Sequence, residues 1–106
     1  MNNGAQSAQE AVASNTFTAS GSASVSPALP SGSTGKPVYF EVSGTVAGYA
    51  TLSIGTTAQI VVSNNPAAGP TRKLIPASAF KGPVNSVPVT LNASGAGTLT
   101  VIVGFA

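Results

Sequence analysis

The sequence contains no cysteine, no histidine, no aspartate and no tryptophan. Each absence removes a class of chemistry. Without histidine there is no Ser–His or Cys–His pair to activate a nucleophile. Without cysteine there is no disulfide framework and no thiolate metal site. The only carboxylates are Glu10 and Glu41, too few for a metal cluster or for an evident acid–base pair. No catalytic signature remains, and neither a cofactor nor an enzymatic activity is expected.

Charge is scarce as well. Charged residues make up 6% of the 106 residues, against roughly 25% in an ordinary soluble domain. The whole set is Glu10, Glu41, Lys36, Arg72, Lys73 and Lys81. The basic pI of 9.4 rests on four cations against two anions. Phosphate neutralisation on a nucleic acid takes about 6–10 contacts, and no basic tract exists here, so a nucleic-acid partner is not expected. Low charge does not indicate a membrane protein either. The longest uninterrupted apolar run is about three residues, where a spanning helix needs about 20. Four Phe and two Tyr cannot build the aromatic girdles of an outer-membrane barrel. The opening Met1-Asn2-Asn3-Gly4 lacks the basic start and apolar core of a secretory signal. Synthesis in a cytosol without general export is the expectation.

Two motif matches carry little. "STGK" (33–36) and "SAFK" (78–81) fit S-x-x-K, but both fall in Pro/Gly-rich loops rather than on a helix. "SGSTGK" resembles a phosphate loop, yet Pro30 replaces its first glycine and Pro37 follows its lysine.

What is present is alternation. In "TFTASGSASVS" (16–26) the odd positions are Phe17, Ala19, Gly21, Ala23 and Val25, and every even position is Ser or Thr. A linker has no reason to keep that pattern, and the stretch reads as one strand. Its Ala, Gly and Ser are weak strand formers, so it needs a sheet edge to lie along. From residue 37 onward the same period recurs in "PVYFEV", "VAGYATLSI", "AQIVV", "VPVTLNA" and "TLTVIVGF". Three connections preserve the apolar faces if each is a three-residue hairpin loop. Ser43-Gly44-Thr45 sets Val42 opposite Val46, Gly55-Thr56-Thr57 sets Leu52 opposite Ile60, and Ser94-Gly95-Ala96 sets Leu91 opposite Leu99. The expectation is a meander over 38–63 and a C-terminal hairpin over 87–105. The four-proline stretch between them offers a short edge strand at "RKLI", with Phe80 plugging the core.

The predicted fold is therefore all-β. It is a two-sheet antiparallel sandwich of six to seven strands, jelly-roll or immunoglobulin-like, with an open barrel as the other option. Residues 16–106 form the sandwich domain. Residues 1–15 form an extended N-terminal arm, in which "AQSAQEAVA" could make two helical turns but has little to bury. Ordering such an arm costs about 1–2 kcal/mol per residue, so another protein chain is expected to hold it. Candidate partner contacts are Phe17, Tyr39, Tyr49, Arg72, Lys73 and Lys81. The hairpin register brings Tyr39 and Tyr49 together on the polar side of neighbouring strands.

The small size, the polar arm "MNNGAQSAQEAVASN", the uncharged strands and the closing strand "GTLTVIVGFA" together resemble the small all-β capsid decoration, or cement, proteins of tailed bacteriophages. The resemblance spans the chain but is architectural and carries no diagnostic motif. It implies a virion protein, made in the host cytoplasm, that binds the major capsid protein as dimers or trimers and reinforces the shell. The alternative is a carbohydrate- or receptor-binding sandwich module of a phage fibre or spike.

Overall fold

The structure, a computed structural model, describes residues 9–30, 36–54, 58–75 and 87–105. Eight strands run in order: β1 (Gln9–Phe17), β2 (Gly21–Val25), β3 (Pro37–Gly44), β4 (Gly48–Ile54), β5 (Ala58–Asn64), β6 (Thr71–Leu74), β7 (Val89–Ala93) and β8 (Gly97–Phe105). Among the described residues there is no helix. Sheet A has the order β1-β8-β3-β6 and sheet B the order β2-β7-β4-β5. All pairings are antiparallel.

The chain thus pairs first strand with last, second with seventh, third with sixth and fourth with fifth. That is the wrapped double ribbon of a jelly roll, and it decides between the two sandwich topologies. The strand count is eight rather than six or seven.

Period-two alternation builds the core. Phe40 and Val42 of β3 meet Leu99, Val101, Val103 and Phe105 of β8, all fully buried. Ala50, Leu52, Val89 and Leu91 of sheet B close over them.

Four expectations change. Residues 9–15 are not an arm. They form most of β1, in register with β8 from Gln9↔Phe105 to Phe17↔Gly97. Nor are residues 9–13 helical, because their alternation matches the sheet edge: Ala11 points into the core while Val12 points out. Residues 16–26 are not one strand, since a bend at Thr18–Ser20 carries the chain from sheet A to sheet B. Finally, β3–β4 and β7–β8 are not hairpins. Each pair is split between the sheets, so 45–47 and 94–96 are crossings. A short crossing and a hairpin both leave Val42, Val46, Leu91 and Leu99 facing the interior, so alternation could not separate them. The β4–β5 register does hold, with Leu52 opposite Ile60, and β6 is the expected short edge strand. Phe80 and the two S-x-x-K stretches fall wholly or largely outside the described residues.

The two misread crossings clasp each other. Thr45 N donates to Thr98 O (3.0 Å), and Ser94 N donates to Ala47 O (2.9 Å). Thr98 N donates to Thr45 Oγ1 (3.0 Å) and Ser94 Oγ to Ala47 O (2.8 Å). The buried Asn64 donates from Nδ2 to Val46 O (2.7 Å). The β5–β6 crossing is pinned separately. Asn65 takes hydrogen bonds from Ala67 N and Ala68 N, and Gly69 turns the chain at φ +87°, a conformation that favours glycine.

Candidate functional site

The outer face of sheet A holds the most structured constellation of polar side chains. Residues directly opposite in antiparallel strands share a face, so the registers lay out its rows. One row is Glu10–Gly104–Tyr39–Leu74 and the next is Val12–Ile102–Glu41–Arg72. Beyond them come Ser14–Thr100–Ser43 and then Thr16–Thr98.

Gly104 is the seat of the site. A Cβ there would overlap the Tyr39 ring. The glycine therefore lets that ring lie flat on β8, where it is buried although it faces outward. From this position the Tyr39 hydroxyl donates to Glu10 Oε2 on β1. The side chain bridges β3 to β1 across the intervening strand. On the other side the Arg72 guanidinium stacks 3.9 Å from the Tyr39 ring centroid, a favourable cation–π position. Arg72 Nε donates to Glu41 Oε1 at 2.9 Å.

The electrostatics follow from the geometry. Burial, then the bond to the Glu10 carboxylate, raises the Tyr39 phenol above its ordinary pKa. The hydrogen bond to Glu41 raises that of Arg72. Both carboxylates of the chain lie on this one face, and each has a partner. Among the described residues no group of three His, Cys, Asp or Glu could hold a metal ion. The arrangement can stack, hydrogen-bond and pack. Apolar surface flanks it: Val12 is 56% exposed and Leu74 75% exposed.

The outer face of sheet B differs. Its rows are Ser22–Asn92–Tyr49–Ser63 and Ser24–Thr90–Thr51–Val61, with Ser53 and Gln59 beyond. None of these side chains is charged. Tyr49 and Val61 are about half exposed.

The six candidate contacts are thereby dispersed. Tyr39 and Arg72 belong to the sheet A network. Tyr49 lies on the opposite side of the sandwich, so the expected tyrosine pair does not exist: β3 and β4 are in different sheets. Phe17 is buried in the core at the end of β1. Lys73 lies opposite Phe40 on the edge strand β6 and is exposed. Lys81 lies outside the described residues. Glu10, Val12 and Leu74 were missed. Extending the alternation of 16–26 back through Ser14, Val12 and Glu10 would have placed two of them on one outward face.

No family model, no curated protein and no solved structure matches this chain.

Proposed function

We propose that the protein is a non-enzymatic structural subunit that lays the outer face of sheet A on a larger protein assembly, as a capsid decoration protein does on the major capsid protein. The carrying observation is the exposed Val12 and Leu74 flanking the Tyr39–Arg72 stack. Aromatic and Arg side chains set among apolar surface are the residue types enriched at protein interfaces. The docking element is this face and not an N-terminal arm, because residues 9–15 already belong to the chain's own sheet. The scarcity of charge lets many copies lie close together without mutual repulsion. In this reading the protein is a virion component, bound as dimers or trimers, and adds buried area between coat subunits.

The test is co-sedimentation with shells of the major coat protein encoded in the same genome. Saturable binding is expected, lost in the double variant Val12→Asp, Leu74→Asp and kept in Tyr49→Ala. Wild-type protein that leaves the shells bare overturns the reading. A second reading draws on Tyr49, half exposed on an uncharged hydroxyl and amide face, which suits stacking on a neutral glycan. A glycan array probed with wild type and Tyr49→Ala decides it: no wild-type hit removes that reading.

A further inference from the structure

Of the six places where the chain passes between the sheets, four have linking residues that are all described, and these four are not equally secured. The crossings 45–47 and 94–96 hold each other through backbone and side-chain hydrogen bonds. The β5–β6 crossing is held by Asn65 and by the left-handed Gly69. Thr18, Ala19 and Ser20, which join β1 to β2, make no hydrogen bond to another described residue. All three are exposed. No positive φ occurs there, and a Cβ on the following Gly21 would meet nothing within 4 Å. Among the described residues no hydrogen bond holds this bend shut.

The sequence around the bend is written for extension. Odd residues face the core in β1 (Ala11, Phe17) and again in β2 (Ala23, Val25). The alternation runs through Ala19 without a slip. Straightening the bend would give one strand from Gln9 to Val25 with every apolar residue but the outward Val12 still on one face. A break in parity would have forbidden this.

The strand it would release is lightly anchored. Among the described residues β1 is an edge strand, paired only with β8. Of its inward side chains, Ala11 and Ala13 are small, and the one large anchor, Phe17, stands beside the bend. At the far end the Glu10–Tyr39 hydrogen bond sets the register. Removing β1 would bare nine residues of β8 edge, a template for an incoming strand. The site is specific. Its register takes small side chains opposite Val103 and Val101, a large one opposite Gly97, and a carboxylate at residue 10 that meets the Tyr39 hydroxyl. The segment that fits is β1 of a second copy.

We infer that β1 exchanges reciprocally between two copies of this chain, with Thr18–Ser20 opening from a bend to extended backbone and each β1 docking on the partner's β8 edge. Every β1–β8 pairing of the closed chain re-forms across the dimer, which is why such swaps are thermodynamically inexpensive. The exchanged strands tie two sandwiches together through β-ladder bonds rather than through a flat face. This inference does not depend on the docking surface proposed above, and its test uses the chain alone.

Ser14 and Thr100 lie opposite each other on the outward face of β1 and β8, and the chain has no native cysteine. Single variants Ser14→Cys and Thr100→Cys are mixed, unfolded, refolded together at high concentration and oxidised. Exchange is expected to give a disulfide between the two different chains. It should far exceed that of a control pair, Ser14→Cys with Ser63→Cys, whose sites lie on opposite sides of the sandwich. The double variant Ser14→Cys, Thr100→Cys, refolded dilute, is expected to close within one chain, which shows that the substitutions are compatible with the fold. If the double variant closes internally while the mixed singles crosslink no more than the control pair, the inference is overturned. A second variant reads the hinge. Lengthening the 18–20 connection with two glycines relieves the bend and should lower the interchain crosslink; an unchanged yield also counts against exchange.

Discussion

The two outer faces of the sandwich are built on the same alternation and end up unlike each other. On sheet A the last outward position of β8 is Gly104, and a tyrosine ring fills the space it leaves. The ring gathers Glu10 and Arg72 around it, and Arg72 brings in Glu41. On sheet B the outward positions of β7 are Thr90 and Asn92, and among the described residues no comparable network spans the strands. One face is cross-braced by its side chains, and the other relies on its backbone ladder. A single glycine makes the difference, because it turns an exposed aromatic into a buried strut.

The comparison can be broken most severely at that glycine. Gly104→Val should displace the Tyr39 ring and with it the bond to Glu10. Overpacking of this kind costs about 1–3 kcal/mol, and urea denaturation should show it as a lowered midpoint. The matched change on sheet B, Thr90→Val, should stay within about 0.5 kcal/mol. Equal losses at the two positions would mean that the faces are equivalent after all.

Tyr39→Phe keeps the ring and removes the hydroxyl. Its expected cost is about 0.5–1.5 kcal/mol, that of one hydrogen bond. It also carries a pH signature. The unfolded phenol titrates at its ordinary value near 10.0, while the folded one holds its proton to higher pH. Above pH 10 the folded state therefore binds more protons than the unfolded chain, and stability falls as pH rises from there. The stabilisation is fully present below that pH. Wild type should lose more thermal stability than Tyr39→Phe between pH 9.5 and 11 (about the range over which a phenol titrates); parallel curves would place the phenol in water.

Arg72→Ala should do less still. Its guanidinium is half exposed, and surface pairs are weak and screened by salt. A small drop in Tm at low salt that fades at high salt is the expected result. Smallest of all is Tyr49→Ala, which should leave stability unchanged and read only in binding.

Part of this was legible from residue order. The odd–even pattern of 97–105 states which side chains of β8 are inside, and they are. The prolines around 71–74 mark an edge, and β6 is one. The register of β4 on β5 follows from keeping Leu52 and Ile60 on one face. Pairing was not legible. Val42 and Val46 face inward whether the chain turns back in one sheet or crosses to the other, and the hydrogen bonds that decide it come from Thr98, Ser94 and Asn64, between 18 and 53 residues away. The site was half hidden for the same reason. Tyr39 and Arg72 could be named as contacts, but Glu10 reaches Tyr39 only because β8 returns from the far end of the chain to lie between them.

Alone, then, the order of residues determined an all-β sandwich with a neutral, hydroxyl-rich exterior and no recognisable catalytic set, because period-two burial and composition are local properties that every strand carries by itself. Tertiary structure alone decided that the sandwich is a jelly roll, that the leading segment is its first strand and that Tyr39 braces one face. Each of these depends on which strand lies beside which, and that is settled by contacts between residues far apart in the chain.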